Sequence, residues 1–360
     1  MVIPVVSITD LYHPPEDPGD NFDLVMAYGM PEVELRAVVL DVLEEKRNLV
    51  DGGVPDYPGP RDPGIIPVTQ LNAIFGRNIP FATTPFTRMR SADDTMQDVP
   101  RFQQFGIELL LQTLENSEQK VHLLSFGSAR SLAVAFNRNP DLLREKVARI
   151  HLCAGTTTPT YPEWNVVMDP IAMTRIVGAG LPLSLYPCAT EESCYAYDNH
   201  NTFYWLNSLG WIEGMHPRLR RYLTYALGRS ARPDYLRALE EDAPDEVTTP
   251  IYRRRHAVWE TAIWVEVSGR HLVRRADGSY RVVPDGELSD GDVVIRGEQV
   301  PVVATTHSSG LYSFELTEES TTTTVFTRDD PMEYERAMNE ALPALYQSFQ
   351  PDGWPLDPRV

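Results

Sequence analysis

Two adjacent stretches near the N-terminus decide the fold: VIPVVSITD at residues 2–10 and DPGDNFD at residues 17–23. The first is a β-branched, apolar run that ends on a polar residue, which is typical of a buried strand. The second leads into an apolar segment, residues 22–29, that predicts a helix. Residues 35–40 predict a second buried strand. This order of strand, loop, helix and strand is a βαβ unit, and it implies a parallel sheet.

The same alternation continues to about residue 190. Apolar runs predict strands at residues 121–126, 149–153 and 181–186. Segments with helical periodicity predict helices at residues 103–115, 131–137, 141–146 and 169–179. We therefore expect an α/β fold, with an open, mostly parallel, Rossmann-like sheet flanked by helices.

The C-terminal third has a different pattern of predicted elements. Short β-type runs separated by turn signals occur at residues 265–273, 280–283, 292–295 and 300–305. A helical pattern follows over residues 331–349. We expect three parts: an α/β domain at residues 1–264, a small antiparallel β insertion at 265–328, and a closing helix and tail at 329–360 that pack on the main domain.

The charge and cysteine content restrict the partners and the compartment. The formal net charge is −19, a field that repels nucleic-acid polymers and anionic membranes. The three cysteines, Cys153, Cys188 and Cys194, match no zinc-binding spacing, and an odd number of cysteines favours a reducing compartment. No apolar run has the length of a transmembrane helix. We expect a cytoplasmic protein that binds a small molecule.

A cluster of carboxylates follows the first predicted strand, at the edge where parallel sheets place their sites. Asp10 ends the strand, and Glu16, Asp17, Asp20 and Asp23 come before or at the start of the helix. So many negative charges require a cation, and oxygen ligands of this kind suit Ca²⁺ better than Mg²⁺. The alternative is an acidic helix start on an exposed loop, where Asp and Asn serve as caps.

Three blocks, in order along residues 2–190, resemble one known family. The family pattern Asp-x-Asp-Pro-Gly-x-Asp-Asp is similar to Asp10, an insertion, Asp17-Pro18-Gly19, one extra residue and Asp23. LSFGSARSLA at residues 124–133 resembles the family's Gly-Pro-Leu-Thr-Asn-Leu-Ala turn, and EWNVVMDP at residues 163–170 resembles its Glu-Phe-Asn-x-x-x-Asp-Pro segment. The chain thus resembles a divergent member of the inosine-uridine preferring nucleoside hydrolases.

This resemblance implies Ca²⁺-dependent hydrolysis of an N-glycosidic bond by a metal-bound water. It implies that Asp17 is both the catalytic base and a ligand, and that Glu163 and Asn165 hold the 5′ side of the sugar. The family closes its metal shell with a late Asp, and the nearest candidate is Glu260, whose alternative is a paired helix residue. The implied metal ligands are Asp10, Asp17, Asp23, the carbonyl of Arg130, and Glu260. The family also implies a homodimer or homotetramer.

The sequence departs from the family mainly where the sugar and base are bound. Phe22 precedes Asp23 where the family has a second Asp, so Asp20 or Asn21 must supply the contact to a ribose hydroxyl. Trp259 stands where the family has a histidine. Trp164 and Trp259 are candidates to stack on a base, and the alternative is that they are core aromatics.

The insertion at residues 11–16 lies next to the presumed site. We expect His13, with Tyr12, to stack on the leaving base or to assist its protonation. The alternative for His13 is a solvated or capping residue.

Three functions are compatible with these features. The first is a nucleosidase that releases free base and ribose from a nucleoside or a modified nucleoside. The second is a non-catalytic relative that binds a nucleoside or sugar, because the sugar contacts are eroded. The third and weakest is a metal-dependent phosphohydrolase, since no glycine-rich phosphate loop follows a strand. Release of free base and reducing sugar separates the first from the second.

Overall fold

The computed structural model describes residues 2–15, 17–47, 57 and 60–351. Two parts of the sequence-based predictions lie outside the described residues: Glu16 of the carboxylate cluster, and residues 352–360 of the expected tail.

Six strands form in the first half of the chain, in the alternation that the sequence predicts. Only the three-residue β3 had no counterpart among the predicted strands, because so short a run carries little signal. The strands are β1 (Ile3–Thr9), β2 (Val33–Leu40), β3 (Phe81–Thr83), β4 (Val121–Ser125), β5 (Val147–Cys153) and β6 (Leu183–Tyr186).

Helices connect these strands. The helix predicted at residues 22–29 begins three residues earlier, because the carbonyl of Pro18 accepts the backbone N–H of Asn21 at 3.1 Å. The helices of this half are α1 (Gly19–Gly29), α2 (Glu44–Arg47), α3 (Ile65–Phe75), α4 (Phe105–Glu115), α5 (Arg130–Arg138), α6 (Pro140–Lys146), α7 (Trp164–Met168) and α8 (Pro170–Val177).

The second half supplies β7 (Tyr204–Leu206), α9 (Pro217–Leu227), α10 (Asp245–Tyr252), β8 (His256–Val258), α11 (Thr261–Val267), β9 (Arg270–Arg274), β10 (Tyr280–Pro284), β11 (Val293–Val294), β12 (Glu298–Thr306), β13 (Tyr312–Leu316), β14 (Thr323–Thr327) and α12 (Pro331–Ser348). Short 3-10 helices lie at Arg101–Gln104, Gly210–Gly214, Arg237–Leu239 and Asp285–Glu287.

One nine-stranded sheet organises the protein, in the order β13-β12-β14-β6-β5-β4-β1-β2-β3. The strands from β14 to β3 are parallel, whereas β12 and β13 pair antiparallel at one edge. Val5 and Val6, neighbours on β1, pack into two different hydrophobic clusters. The central strands are therefore buried on both faces, as continuous apolar runs require. The predicted fold class is confirmed.

The C-terminal β strands fall into two sheets. The strands β10, β9 and β11 form a small antiparallel sheet, as predicted near the C-terminus. In contrast, β12, β13 and β14 extend the main sheet, so the segment predicted as one insertion, residues 265–328, contributes to both. The helix predicted to close the fold is α12, whose first turn is capped by the Asp330 carboxylate accepting from Met332 N–H at 2.8 Å.

The strand predicted at residues 265–273 is wrong in its first part, which belongs to helix α11. Valine and isoleucine favour a strand locally, but tertiary packing overrides this preference. Trp264 of α11 is completely buried, and its ring lies 5.8 Å from that of Phe126. Within the described residues, no helix combines the length and apolar character needed to cross a bilayer.

Candidate active site

A cavity of about 510 Å³ opens at the carboxyl ends of the central parallel strands, a volume typical of small-molecule sites. Asp10 follows β1, Phe126 follows β4 and Cys188 follows β6, so three strand ends contribute to its lining. Parallel strands bring their carboxyl ends to one edge, where ligands bind. The cavity therefore lies where the sequence predicts the site.

Five carboxylates line this cavity: Asp10, Asp17, Asp20, Glu163 and Glu260. Asp17 lies just before α1, and the Gly19 backbone N–H donates to its Oδ1 at 2.6 Å. Asp20 lies in the first turn of α1, where the Thr9 hydroxyl donates to its Oδ1 at 3.4 Å. The predicted carboxylate cluster thus forms a real wall of the cavity.

Gly19 lets Asp17 and Glu260 approach each other. A Cβ atom added to Gly19 would lie 2.9 Å from Asp17 Oδ1 and 3.1 Å from Glu260 Oε2. Burial, followed by the negative charge of Asp17, raises the pKa of Glu260 well above its usual value. The two carboxylates therefore meet across a position that only glycine fills without displacing them.

Asp23 lies beneath the cavity on α1 and is 1% exposed. Its two carboxylate oxygens are buried and have no hydrogen-bond partner among the described residues. Burial is the main cause that raises the pKa of both Asp20 and Asp23, and the charge of Asp17 adds to it. A buried carboxylate without partners is costly, and a bound cation would relieve that cost.

The donor chemistry of this cluster fits a hard divalent cation. Carboxylate oxygens are the ligands that Ca²⁺ prefers, and the unpartnered oxygens of Asp23 are available for one. In the described part of the chain, however, no three Asp, Glu, His or Cys side chains converge into a ready metal-binding group. The five predicted ligands remain a prediction: Asp10, Asp17 and Glu260 line the cavity, whereas Asp23 and Arg130 do not.

Lys46 supplies a positive charge that the sequence analysis missed. It belongs to α2, is buried, and places its Nζ 3.7 Å from Asp10 Oδ2. The same ammonium lies 3.7 Å from the ring centroid of Trp164, a cation–π distance. No motif marks Lys46, because it reaches the cavity from the short helix α2 that follows β2.

His256 is the second residue that the motifs did not single out. It begins β8, and its Nε2 donates to Asp17 Oδ1 at 3.2 Å. Its spacing of four residues from Glu260 is that of one helical turn, but residues 256–258 are extended. The extended backbone carries the imidazole to Asp17 and leaves Glu260 at the start of α11.

The predicted sugar-binding block, Glu163, Trp164 and Asn165, lines the cavity. Glu163 also caps α7, accepting backbone N–H groups of Gly155, Asn165 and Val166 at 2.7, 2.9 and 3.2 Å. Burial raises the pKa of Glu163 to about 7. Its carboxylate therefore combines a structural role with any contact to a ligand.

An aromatic wall, formed by Trp259, Tyr195, Trp205 and Trp164, lines the same cavity. Trp259 lines the cavity, and its Nε1 donates to the Cys194 carbonyl at 3.0 Å. Tyr195 stacks on Trp205 with centroids 5.6 Å apart, and Trp259 lies 5.9 Å from Tyr195. Trp164 is 48% exposed, so neither predicted tryptophan is a fully buried core residue. These rings offer a stacking surface for a flat base.

The structure corrects the expectation for His13. Its side chain is completely buried, stacks on Tyr225 at 4.6 Å and donates from Nε2 to the Ser230 carbonyl at 2.7 Å. Burial lowers its pKa, and it does not line the cavity. His13 therefore anchors the insertion to the region after α9. Its neighbour Tyr12 does line the cavity, with its hydroxyl donating to the Leu43 carbonyl at 3.1 Å.

Two further residues named in the sequence analysis have side chains bound elsewhere, although the prediction for Arg130 concerns only its carbonyl. Asn21 is buried, and its Oδ1 accepts from the Tyr222 hydroxyl at 2.8 Å, so it is not a cavity residue. The Arg130 side chain donates to Asp41 Oδ1 at 2.6 Å and to the Val42 carbonyl at 2.8 Å. A buried ion pair between Arg130 and Asp41 thus lies at the turn between β4 and α5, which explains why a basic residue is tolerated there.

Comparison with known proteins agrees with this geometry. No family model matches the chain. The pyrimidine-specific ribonucleoside hydrolase RihA of Enterobacter sp. (strain 638) is 26% identical over 189 residues, which are 46% of this chain and 56% of that protein. RihA of Escherichia coli O1:K1 is 33% identical over 83 residues, or 22% of this chain and 26% of that protein. The chain spans about half the length of the first of these relatives, and less of the second.

Solved structures of low sequence identity share the fold over nearly the whole chain. The purine-preferring ribonucleoside hydrolase from Gardnerella vaginalis has a TM-score of 0.54 at 13% identity, covering 95% of this chain and 99% of that one. A plant nucleoside hydrolase has a TM-score of 0.53 at 14% identity, covering 97% and 100%. The inosine-uridine preferring nucleoside hydrolase from Bacillus anthracis has a TM-score of 0.50 at 14% identity, covering 96% and 99%.

Proposed function

We propose that this chain, a divergent member of the nucleoside hydrolase family, hydrolyses the N-glycosidic bond of a ribonucleoside or modified ribonucleoside to free base and ribose. One observation carries the proposal: the family-like carboxylates Asp10, Asp17, Asp20 and Glu260 line one cavity at the carboxyl edge of a nucleoside hydrolase-like sheet. The aromatic wall of the same cavity suits a purine or pyrimidine base.

Asp17 is the proposed general base. Its Oδ1 is held by the Gly19 N–H at 2.6 Å and by His256 Nε2 at 3.2 Å, and 29% of its side chain remains accessible to water. Removal of a proton from the attacking water strengthens the nucleophile as the sugar becomes oxocarbenium-like. In this proposal His256 positions Asp17, and Asn165, which lines the cavity, contacts the sugar.

Ca²⁺ is the proposed metal, held by Asp10, Asp17, Asp23, Glu260 and the Arg130 carbonyl. When bound, it would lower the pKa of a coordinated water. The support from this chain is the oxygen-only donor set and the unpartnered oxygens of Asp23. The charge of Lys46 near Asp10 would add to the neutralisation of the cluster.

The first test is release of base and reducing sugar. The purified protein is incubated with Ca²⁺ and a panel of purine and pyrimidine ribonucleosides, and both products are measured. Asp17→Asn should lower kcat at least ~100-fold, as expected for loss of a general base. Glu145→Gln, an exposed carboxylate on α6, is the matched control and should retain activity. Activity of Asp17→Asn close to that of the wild type would contradict the role of Asp17.

A non-catalytic nucleoside- or sugar-binding protein is the second candidate. Two observations favour it. Phe22 stands where the family has an Asp that contacts a ribose hydroxyl, and both Phe22 and its neighbour Asn21 are fully buried. In addition, backbone N–H groups already occupy the carboxylate of Glu163. Calorimetric binding of nucleosides without any product release would support this alternative over hydrolysis.

A further inference from the structure

Three consecutive arginines, Arg253, Arg254 and Arg255, precede β8, and all are exposed. Only Arg254 and Arg255 line the cavity. Among the residues that the structure describes, none of the three has an ion-pair partner, although acidic residues outnumber basic ones by 51 to 32. The arginines of the nearby helix α9 are paired, as Arg218 is with Glu240 at 2.7 Å. The cavity mouth thus carries uncompensated positive charge in an acidic protein.

Stacking holds one of these guanidinium groups in place. The Arg255 guanidinium lies 4.0 Å from the ring centroid of Trp205, which in turn stacks on Tyr195. Such a contact fixes the guanidinium plane and leaves its N–H edge free to bind an oxyanion by two parallel hydrogen bonds. Burial, followed by the charge of Arg254, lowers the pKa of Arg229, so a third arginine lies within electrostatic reach of Arg254.

The arginines adjoin the proposed reaction centre. Arg255 is followed directly by His256, whose Nε2 contacts Asp17 Oδ1 at 3.2 Å, and consecutive Cα atoms are about 3.8 Å apart. The cavity therefore combines a carboxylate floor (Asp10, Asp17, Asp20 and Glu260), which Lys46 partly neutralises at Asp10, with an arginine mouth (Arg254 and Arg255). A neutral nucleoside would leave the mouth without a partner, whereas an anionic substituent would fill it.

We propose that the substrate is a phosphorylated nucleoside, whose phosphate binds Arg254 and Arg255 while the glycosidic bond lies at the carboxylate floor. The inference rests on the proposed hydrolysis and specifies its substrate class. A phosphate presents several oxygens, enough to engage two guanidinium groups, and charge-assisted hydrogen bonds of this kind are the strong ones. The phosphate is bound and not transferred, so the reaction still breaks only the bond between sugar and base.

The direct test compares kcat/KM for uridine and inosine with kcat/KM for their 5′-monophosphates and 5′-diphosphates. At least one phosphorylated series should exceed the nucleosides by about ten-fold or more. The monophosphate and diphosphate arms identify which ester the mouth accommodates. Nucleosides that are processed as well as or better than both series would overturn the proposal.

Arginine variants show whether the preference comes from this pair. The double variant Arg254→Ala/Arg255→Ala should reduce the ratio of kcat/KM for nucleotide to that for nucleoside at least about ten-fold. Arg255→Lys keeps the charge but loses the planar fork, so it should fall between wild type and the double variant. Arg253 is exposed and does not line the cavity, so Arg253→Ala should change the ratio by less than about two-fold. An equal loss in Arg253→Ala would mean a general surface charge effect and would refute the site.

Binding separates this inference from the proposed function. Calorimetry with uridine 5′-monophosphate needs no turnover, and its binding should weaken in the double variant but not in Arg253→Ala. If no substrate releases base while this pattern holds, hydrolysis fails and the phosphate site stands. If nucleosides release base while phosphorylated ligands bind no better, hydrolysis stands and the phosphate site is wrong.

Discussion

His256 Nε2 lies 3.2 Å from Asp17 Oδ1 and joins strand β8 to the loop before α1. The same carboxylate oxygen accepts the Gly19 N–H at 2.6 Å, so two donors from different elements fix one atom. A base that is already oriented needs less reorganisation as the reaction proceeds. The chain thus positions its proposed base with a histidine that does not belong to the family-like motifs.

His256→Ala should lower kcat about ten- to hundred-fold with a smaller effect on KM, because Asp17 loses a positioning contact while the cavity walls persist. His256→Gln retains an N–H donor and should restore part of the loss. Steady-state kinetics on an active nucleoside or nucleotide measures both effects. His307→Ala, at an exposed site away from the cavity, is the control. Unchanged kcat in His256→Ala would remove His256 from the mechanism.

Gly19→Ala should reduce kcat/KM by about ten-fold or more without destabilising the fold. The added methyl would lie 2.9 Å from Asp17 Oδ1 and 3.1 Å from Glu260 Oε2, so both carboxylates must move. Alanine is otherwise favoured in a helix by up to about 1 kcal/mol, so thermal unfolding should not occur at a lower temperature. Gly286→Ala meets no atom within 4 Å and serves as the matched control. Full activity in Gly19→Ala would show that these carboxylates need no fixed spacing.

Asp23→Asn should stabilise the metal-free protein by about 1–3 kcal/mol, since it removes a buried carboxylate that has no hydrogen-bond partner. In contrast, Ca²⁺ should raise the Tm of the wild type, because the ion binds only the folded state. It should not raise the Tm of Asp23→Asn, because this variant lacks one of the proposed ligands. Thermal melts with a chelator and with added Ca²⁺ test both statements. Asp290→Asn, an exposed site, is the control. Equal Ca²⁺-induced shifts in Asp23→Asn and wild type would argue against Asp23 as a ligand.

Without divalent ions, stability should fall as the pH rises from about 4.5 to about 7. Burial raises the pKa of Glu163 from 4.5 to about 7, so the folded state binds a proton more tightly than the unfolded chain. Stability from this group is present at low pH and lost through that window, an effect of about 3 kcal/mol. Urea unfolding at pH 5 and pH 7.5 should show a smaller pH dependence in Glu163→Gln. The pH dependence of Glu145→Gln should match that of the wild type, and no difference between the two variants would refute the assignment.

The sequence predicts the parallel half of the fold well except for β3, because β1, β2, β4, β5 and β6 are largely apolar, buried runs. It predicts the C-terminal part less well. Thr261–Val267 contains residues that favour a strand, yet the segment is helical because Trp264 packs against Phe126. The pairing of β14 with β6 joins residues far apart in the chain, and no local pattern encodes it.

The motifs also predict only part of the site. Asp10, Asp17, Asp20 and Glu163 lie at strand ends or helix starts, so their places in the motifs bring them to the cavity. Lys46 and the arginines before β8 come from connecting segments whose paths depend on tertiary packing. His13 shows the converse error: it adjoins the cluster in sequence, but burial against Tyr225 takes it away.

Strand β14 pairs with β6 only late in the chain, and this affects folding during synthesis. The sheet has an open edge at Leu183–Tyr186 until Thr323–Thr327 has left the ribosome and paired with it. An unpaired, apolar strand edge is a template for association with other chains, and non-local parallel pairing forms slowly. The nascent protein is therefore most exposed to misassembly during this interval, when chaperones that cover apolar edges would be most effective. The excess of negative charge repels neighbouring copies over the same period.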